Sequence, residues 1–308
     1  MSLKDDDEVN LVDRKSDNMV ETPCVTVACG GFSAKDTLTS GQCFRWSEHE
    51  GRLCGTAFGR YVEIEQRGDA LTIYGADDAE YTALWRDYLD MERDYEAIRR
   101  AVIGLEPRLD ESAAYAAGVH VLAQEPWEAL CSFVISQNNN IPRIRGIIGA
   151  LSLHYGAPAL RGETARDAAD GHAFPTAEAL AGVSEERLRK LGCGYRAPYL
   201  TALARSVADG KVDFEAIRKA PIDEARRALL SLRGVGPKVA ECALLYGFGR
   251  LECFPIDVWI RRALETEFTG GTALIGSEFA GVAQQYIFEY IRHYPERFVK
   301  PSAKSAKY

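Results

Sequence analysis

The chain has 308 residues, 46% of them hydrophobic, and its 37 Lys and Arg against 45 Asp and Glu give a formal net charge of −8. These values predict a globular protein with a sizeable core. They argue against a general nucleic-acid binder, which should be basic overall, although DNA binding through a local basic patch stays open. No run of about 18 apolar residues occurs, which argues against a transmembrane helix.

Residues 1–20 are polar and acidic around Asp5–Glu8 and lack the basic start and apolar centre of a secretory signal. We interpret them as a disordered tail. The eight cysteines include no C-x-x-C pair, which argues against a zinc site or an iron–sulfur cluster. We expect free, buried thiols in a reducing compartment.

Residues 24–74 are typical of an antiparallel sheet. Tyr61–Glu65 alternates between apolar and polar residues, and Ala70–Tyr74 follows after a glycine turn. Asp78 is predicted to cap a helix. From that helix to the end of the chain, the spacing of the apolar residues is helical.

Inside the β segment, Ser40–Trp46 reads S-G-Q-C-F-R-W. Judged by its alternation alone, this string is a strand that buries Phe44 or Trp46.

Pro126 opens a predicted helix that runs into Ser136–Ile144, which reads S-Q-N-N-N-I-P-R-I. Asparagine forms helices poorly and carries both donors and acceptors, so one interpretation is a polar helix junction capped by Asn. Ser184 is predicted to cap a later helix. Gly192–Arg196, which reads G-C-G-Y-R, closes that helix and begins another.

The stretch Leu232–Arg261 is the one on which the chemistry centres. Gly234 and Gly236 predict a tight hairpin with positive φ and outward-pointing N–H groups, an arrangement that binds phosphate. Pro237 suits the first turn of the helix that follows, because its missing N–H has no partner there.

Lys238 then lies at the positive end of that helix, where the dipole favours the neutral amine, and it is a candidate nucleophile. Asp257 is placed to N-cap the next helix. Gln284 and Phe288, on the last helix, are four residues apart and share a face. An alternative interpretation is a hairpin that only holds DNA backbone, with Lys238 as a phosphate contact.

Taken together and in this order, these motifs resemble the 8-oxoguanine DNA glycosylases of the eukaryotic kind, in the helix–hairpin–helix superfamily. The resemblance rests on G-Q-x-F-R-W, N-N-N-I-x-R, L-G-x-G-Y-R, the glycine hairpin with its lysine and aspartate, and the Gln–Phe pair. It covers residues 23–293.

The implied fold class is α+β, with an N-terminal antiparallel β-sheet domain followed by a mostly α-helical, two-subdomain helix–hairpin–helix glycosylase region. We expect the disordered acidic tail at 1–20, the sheet domain with helices at 21–114, and the helical glycosylase domain at 115–308.

The resemblance implies an enzyme of base-excision repair, a bifunctional DNA N-glycosylase and apurinic-apyrimidinic lyase. Such an enzyme excises 8-oxoguanine opposite cytosine and cleaves the strand by β-elimination through a lysine Schiff base, with Lys238 as nucleophile and Asp257 assisting. The implied base pocket consists of Gly41, whose carbonyl accepts from the protonated N7 of the lesion, and of Cys242, Tyr246, Gln284 and Phe288. The residues implied to hold DNA and the opposite cytosine are Asn138, Arg143, Tyr195, Arg196, Gly234 and Gly236.

The chain departs from the family's pattern at three positions near the hairpin. Trp259 replaces a histidine that contacts phosphate, Tyr246 replaces a methionine of the base pocket, and Arg233 replaces a proline. These departures affect the phosphate contacts and the fit of the base, rather than the class of reaction.

Two alternative functions stay open. One is a glycosylase for alkylated or other damaged bases, and Lys238 argues against it because members that only release bases lack this lysine. The other is a non-catalytic helix–hairpin–helix DNA-binding module, against which the implied base pocket argues. The implied chemistry requires no cofactor and no metal, although a hairpin of this kind can hold a structural cation.

We expect a monomer whose partner is damaged double-stranded DNA, without a membrane. The expected location is the cytoplasm, associated with the nucleoid, if the source is bacterial, and the nucleus if it is eukaryotic.

Overall fold

The computed structural model describes residues 22–268 and 272–298. The predicted tail at 1–20 lies outside the described residues. The strands are β1 (Cys24–Ala28), β2 (Trp46–His49), β3 (Arg52–Ala57), β4 (Arg60–Arg67) and β5 (Ala70–Tyr74). They form one antiparallel sheet in the order β1-β5-β4-β3-β2, so the predicted sheet is confirmed.

Helices occupy most of the remaining described chain. They are α1 (Ala34–Thr39), α2 (Asp78–Glu80), α3 (Arg86–Tyr88), α4 (Tyr95–Leu105), α5 (Asp110–Tyr115), α6 (Pro126–Ser136), α7 (Ile141–Tyr155), α8 (Ala177–Ala181), α9 (Glu185–Lys190), α10 (Ala197–Ala208), α11 (Phe214–Lys219), α12 (Ile222–Leu230), α13 (Pro237–Phe248), α14 (Val258–Thr266), α15 (Thr272–Ile275) and α16 (Ala280–His293). None of these helices is long and apolar enough to cross a membrane. The predicted α+β fold class is confirmed.

The first helix after the sheet begins one residue earlier than the sequence predicts. Asp77, not Asp78, is the N-cap, because its extended backbone lets its carboxylate accept the N–H of Glu80 at 2.8 Å. The segment that follows, Tyr81–Trp85, is π-helical and continues into α3.

Most buried hydrophobic residues of the described chain belong to two large cores, and Cys54, Tyr61 and Ala159 form a separate small cluster. The sheet core is formed by one face of the sheet with α1 and the segment around Trp85, and the helical core is formed by α4 to α16. Residues of α4 and α5, such as Val102, pack in the helical core, although they belong to the domain predicted at 21–114. The predicted boundary between residues 114 and 115 stays a prediction.

The string Ser40–Trp46 joins these two cores, and its interpretation as a strand is wrong up to Arg45. Pairing with the neighbouring strand β3 begins only at Trp46, and the residues before it form bends after α1. Cys43 and Trp46 pack in the sheet core, whereas Phe44 packs in the helical core. The apolar residues of this string therefore do not share one face of a strand, because Phe44 enters one core and Cys43 and Trp46 enter the other.

The side chain of Gln42 holds this joining segment in place. Its Nε2 carries two protons and has three acceptors within reach, at 2.8 Å from the carbonyl oxygen of His120, 3.0 Å from that of Thr37 and 3.1 Å from Ser40 Oγ. Its Oε1 accepts the N–H of Leu122 at 2.8 Å. The buried amide is thus fully paired, which fixes the backbone of the neighbouring Gly41.

Arg45 lies in a buried charged cluster at the same junction. It donates to Ser152 Oγ at 3.0 Å and to the carbonyl of His172, and its Nε is 4.0 Å from Glu128 Oε1. Burial raises the pKa of Glu128 to about 7, with Arg45 opposing that shift. Burial likewise raises the pKa of Asp170 to about 6.

The hairpin between α12 and α13 is tight at one glycine only. Gly234 has a φ of +87°, and a Cβ there would overlap the ring of Tyr199. Gly236 is the N-cap of α13 with a φ of −95°, and a Cβ there would meet open space, so the predicted positive φ is wrong for it. Helix α13 begins at Pro237, as predicted.

We predict that Glu128→Gln makes the unfolding free energy less dependent on pH. Glu128 has a folded pKa of about 7 against an ordinary 4.5, so the stability from its retained proton is complete below about pH 4.5 and is lost as pH rises through about 7. Relative to wild type, the unfolding free energy of the variant should rise by about 2–3 kcal/mol from about pH 5 to about pH 8. Urea unfolding at about pH 5 and about pH 8 measures this difference. If the unfolding free energies of the variant and the wild type differ by the same amount at both pH values, the prediction is contradicted.

We also predict that Gly234→Ala lowers the unfolding free energy by about 2–4 kcal/mol, because alanine resists positive φ and its methyl group would overlap the Tyr199 ring. The matched control is Gly236→Ala, which should cost less than about 1 kcal/mol. Urea denaturation of both variants measures the contrast. Equal losses would show that the hairpin does not have this geometry.

Candidate active site

A pocket forms where α6, α13 and α16 approach the segment that joins the two cores. Its lining residues are Gly41, Phe133, Lys238, Cys242, Tyr246, Pro255, Asp257, Gln284 and Phe288. The structure therefore brings together both predicted catalytic residues and all five residues of the predicted base pocket. Sequence reasoning missed Phe133 and Pro255 as members. In the sequence, Phe133 belongs to the apolar face of its helix, and no motif distinguishes it from core residues.

Lys238 is the second residue of α13, and its amine contacts a hydroxyl group and an aromatic ring. Its Nζ donates to Ser136 Oγ at 3.2 Å and lies 4.9 Å from the centre of the Phe133 ring. Among the ion pairs within 4.0 Å in residues 22–268 and 272–298, none involves Lys238. The amine is therefore not held by a carboxylate and can approach a substrate atom.

Cys242 lies one turn after Lys238 on the same helix face. Burial raises the pKa of its thiol to about 11, and the positive charge of Lys238 acts against this shift. The thiol is therefore neutral near pH 7, and it offers a small apolar surface to a ligand.

Asp257 N-caps α14, as predicted. Its Oδ1 accepts the N–H of Ile260 at 2.8 Å, which fixes the carboxylate at the positive end of that helix and at the wall of the pocket. A fixed negative charge beside an amine can stabilise positive charge that develops on a bound molecule.

Gly41 and Phe288 meet across the pocket. Gly41 has a φ of +86°, and a Cβ there would lie 3.4 Å from Phe288 Cε1 and 3.5 Å from Ile141 Cδ1. The positive φ favours glycine, whereas the two distances are ordinary van der Waals contacts. The ring of Phe288 and the backbone of Gly41 can therefore both contact one flat ligand.

Tyr246 connects the pocket to two amides on α16. Its hydroxyl is 2.7 Å from Gln285 Oε1 and 3.3 Å from Gln284 Oε1, and its ring stacks on Phe133 at 5.3 Å between centres. Burial holds the pKa of the Tyr246 hydroxyl well above its ordinary value, so it keeps its proton. Gln284 lines the pocket, whereas Gln285 does not.

Outside the pocket, the polar loop after α6 presents exposed groups. Asn138 is exposed with a φ of +48°, and its Nδ2 donates to the hydroxyl of Tyr195 at 3.3 Å. The half-exposed Tyr195 in turn donates to the carbonyl of Gln137 at 3.1 Å. Arg143 is exposed, and its Nη2 lies 3.5 Å from the carbonyl of Gly192. These side chains share one surface, as the resemblance implies.

Arg196 differs from its neighbours because it is buried, with 2% of its surface exposed. Its guanidinium donates to the carbonyls of Gln137 and Asn138 from below the loop. This arrangement fixes the backbone that carries Asn138. The role implied for Arg196 at the edge of the opposite cytosine stays a prediction.

Gln137 ties this loop to the hairpin, since its Nε2 donates to the carbonyl of Gly234 at 3.0 Å. No pattern in the sequence distinguishes Gln137 from the polar string around it. The carbonyl of Leu232 accepts the N–H of Val235 at 3.1 Å, so two hairpin carbonyls already have partners. A structural cation at the hairpin stays a prediction.

At the start of α14, Val258 and Trp259 are exposed at 71% and 40%. The guanidinium of Arg262 lies 5.1 Å from the Trp259 ring. In the described part of the chain, no group of three or more His, Cys, Asp or Glu side chains is placed to hold a metal ion.

Two family models adjoin along the chain. Residues 25–130 match the model for "8-oxoguanine DNA glycosylase, N-terminal domain", and residues 131–269 match "HhH-GPD superfamily base excision DNA repair protein". The "N-glycosylase/DNA lyase OGG1" of Arabidopsis thaliana is 35% identical over 240 residues, which cover 72% of this chain and 63% of the plant protein. The chain spans 63%, 42% and 62% of the lengths of three curated relatives, less than two thirds of each.

Two solved structures are similar over nearly their whole length. "MBOgg1 in complex with low affinity DNA ligand" has a TM-score of 0.82 and 34% identity, over 88% of this chain and 96% of that one. The Clostridium acetobutylicum 8-oxoguanine glycosylase/lyase, in complex with dsDNA containing cytosine opposite to 8-oxoG, has a TM-score of 0.81 and 30% identity, over 89% and 97%. Since both family models match and a solved relative is covered almost completely, the chain belongs to the 8-oxoguanine DNA glycosylase family of the helix–hairpin–helix superfamily.

Proposed function

We propose that this chain excises 8-oxoguanine from duplex DNA opposite cytosine and cleaves the strand at the abasic site that results. The observation that carries the proposal is a single pocket that combines a lysine and a capping aspartate with a glycine backbone, a phenyl ring and an amide. The solved relative from Clostridium acetobutylicum is a glycosylase/lyase for the same lesion, which supports the proposal.

Binding begins with the DNA backbone on the hairpin, where the N–H groups near Gly234 and Gly236 meet phosphate. The damaged nucleotide leaves the stack, which costs a few kcal/mol that contacts in the pocket offset. The exposed side chains of Asn138, Arg143 and Tyr195 lie on one surface, where they can fill the gap and contact the orphaned cytosine.

Recognition of the lesion depends on a proton at N7. The oxidised base carries N7–H, a donor, whereas intact guanine has an acceptor at N7. A carbonyl at Gly41 that faces N7 pairs with the first and opposes the lone pair of the second. The wrong base is thus rejected at a polar group that the bound base shields from water, and such a group discriminates strongly.

The reaction uses the free amine of Lys238. Its nitrogen forms a bond to C1′ while the bond from C1′ to N9 breaks, and the departing base takes the electron pair and a proton. The carboxylate of Asp257 stabilises the positive charge on the sugar. Opening of the sugar ring gives a protonated Schiff base, which makes a C2′ proton acidic. Loss of that proton expels the 3′ phosphate.

We predict that Lys238→Gln abolishes the covalent adduct that borohydride traps on a duplex with 8-oxoguanine opposite cytosine, because the amide cannot form a Schiff base. The matched control is Lys211→Gln, since Lys211 is an exposed lysine at the end of α10, and it should trap as wild type does. An adduct with Lys238→Gln would show that another group is the nucleophile. Wild-type protein that cleaves no lesion, or cleaves alkylated bases equally, would overturn the proposed function.

We predict that Gly41→Ala slows single-turnover excision of 8-oxoguanine at least about tenfold, because a positive φ costs alanine about 1–2 kcal/mol and the added methyl group would occupy the wall of the pocket. Cleavage at a preformed abasic site needs no base recognition and should stay within about twofold of wild type. Gly30→Ala, at an open position, serves as the control. Equal losses in excision and abasic-site cleavage would contradict a role in base recognition.

We further propose that the chain acts as a monomer, that its chemistry needs no metal or other cofactor, and that any cation at the hairpin is structural. It would act with the nucleoid in the cytoplasm of a bacterium, or in the nucleus of a eukaryote.

A further inference from the structure

We propose that Ser136, the last residue of α6, is a positioning residue for the nucleophile, because its hydroxyl accepts one N–H of Lys238 and leaves the lone pair of the amine free for the sugar. This inference rests on the proposed function and deepens it. It gives a role in the reaction to a side chain that lies next to the polar loop after α6.

The hydroxyl proton of Ser136 is already used within its own helix. Ser136 Oγ donates to the carbonyl of Phe133 at 2.8 Å, a usual length for a bond of this type. A serine hydroxyl carries one proton and two lone pairs. Toward the amine of Lys238, whose Nζ lies 3.2 Å away, the hydroxyl can therefore act only as an acceptor.

The position of the Phe133 carbonyl fixes the direction of this proton. The carbonyl belongs to the last turn of α6, where the N–H donors of a continuing helix are missing. The N–H of Gln137, which would reach Phe133 in a continuing helix, is directed to the carbonyl of Val134 at 3.4 Å instead. If the hydroxyl turned to the amine, the carbonyl of the buried Phe133 would lose this donor. The hydroxyl is thus held as an acceptor.

Two further groups lie close to the amine of Lys238. Its Nζ is 4.9 Å from the centre of the Phe133 ring, whose face attracts the positive charge of the protonated amine. The thiol of Cys242 also interacts with the amine, but a thiol sulfur is a weak acceptor. Among the side-chain hydrogen bonds of residues 22–268 and 272–298, the amine donates to one oxygen, that of Ser136. Ser136 is therefore the group that sets the direction of an N–H of Lys238.

This contact also determines which proton the nitrogen keeps during the reaction. A neutral amine has two protons and one lone pair, and the lone pair forms the bond to C1′ while the departing base takes the electrons of the bond from C1′ to N9. The nitrogen then passes one proton to the base and keeps the proton that Ser136 accepts. When the bond from C1′ to O4′ breaks and O4′ departs with its electron pair, the kept proton becomes the N–H of the Schiff base.

The test is single-turnover excision of 8-oxoguanine opposite cytosine by wild type and by Ser136→Ala. We expect the rate to fall about tenfold, equivalent to about 1.4 kcal/mol, because an amine without its acceptor directs the lone pair at C1′ less often. Borohydride trapping at a preformed abasic site should slow to a similar extent, since the same amine attacks there. The dissociation constant for a duplex with a tetrahydrofuran abasic analogue, which the amine cannot attack productively, should stay within about twofold.

Two further variants sharpen the test. Ser136→Thr keeps the hydroxyl, so it should retain at least about half of the wild-type rate. Ser277→Ala is the matched control, because Ser277 is a partly exposed serine before α16 that also donates to the carbonyl three residues earlier, that of Leu274 at 2.9 Å. It should excise at the wild-type rate.

The outcomes separate this inference from the proposed function. Wild type that releases no 8-oxoguanine defeats both. Wild type that releases it, together with a Ser136→Ala variant whose rate falls less than about threefold, defeats only the inference. A Ser136→Ala variant whose affinity for the analogue falls as much as its rate also defeats it, as does a Ser136→Thr variant as slow as Ser136→Ala. Either pattern shows that the hydroxyl does not act through the amine.

Discussion

The buried amide of Gln42 is the group on which the geometry of the pocket depends. Its donors and its acceptor are all used, on α1, on the backbone of His120 and on the backbone of Leu122. Each of these partners would lose its bond if the amide moved, and an unpaired buried group costs about 1–3 kcal/mol. Gly41 immediately precedes Gln42 in the chain, so its backbone is held in place as well. The joining segment contributes one wall of the pocket, and α6, α13, α16 and the residues just before α14 contribute the others.

The joining segment, Ser40–Trp46, packs into both hydrophobic cores beside the site. Phe44 enters the helical core and contacts Phe133 at 5.9 Å between ring centres, and Trp46 enters the sheet core. Phe133 in turn stacks on Tyr246 and lies beneath the amine of Lys238. Aromatic contacts thus connect the joining segment to the amine of Lys238. Precise placement of these groups matters because a displacement of about 1 Å can greatly slow a reaction.

Much of the fold and of the site could be predicted from the sequence, because local rules governed those features. Alternation predicted β4 and β5, Pro237 predicted the start of α13, and Asp257 predicted a cap. Long-range packing decided the features that were missed. The apolar residues of Ser40–Trp46 alternate as they do in a strand. In the structure they pack into two different cores, and a local sequence pattern cannot distinguish these two cases.

The same limit applies to single side chains. Arginine is rarely buried without partners, so the burial of Arg196 depends on carbonyls of a loop 58 and 59 residues away. The φ of Gly236 could not be inferred from its residue type, since glycine accepts either sign. Phe133 joins the pocket only because α6 and α13 pack against each other.

The burial of Cys242 affects how readily its thiol is oxidised. Peroxide attacks thiolates rather than thiols, and the raised pKa of Cys242 keeps its sulfur protonated at neutral pH. Burial raises the pKa of Cys43 and Cys193 in the same direction. The oxidants that damage guanine therefore find little reactive sulfur beside Lys238. The pocket wall therefore resists the oxidants that would create the substrate of the proposed reaction.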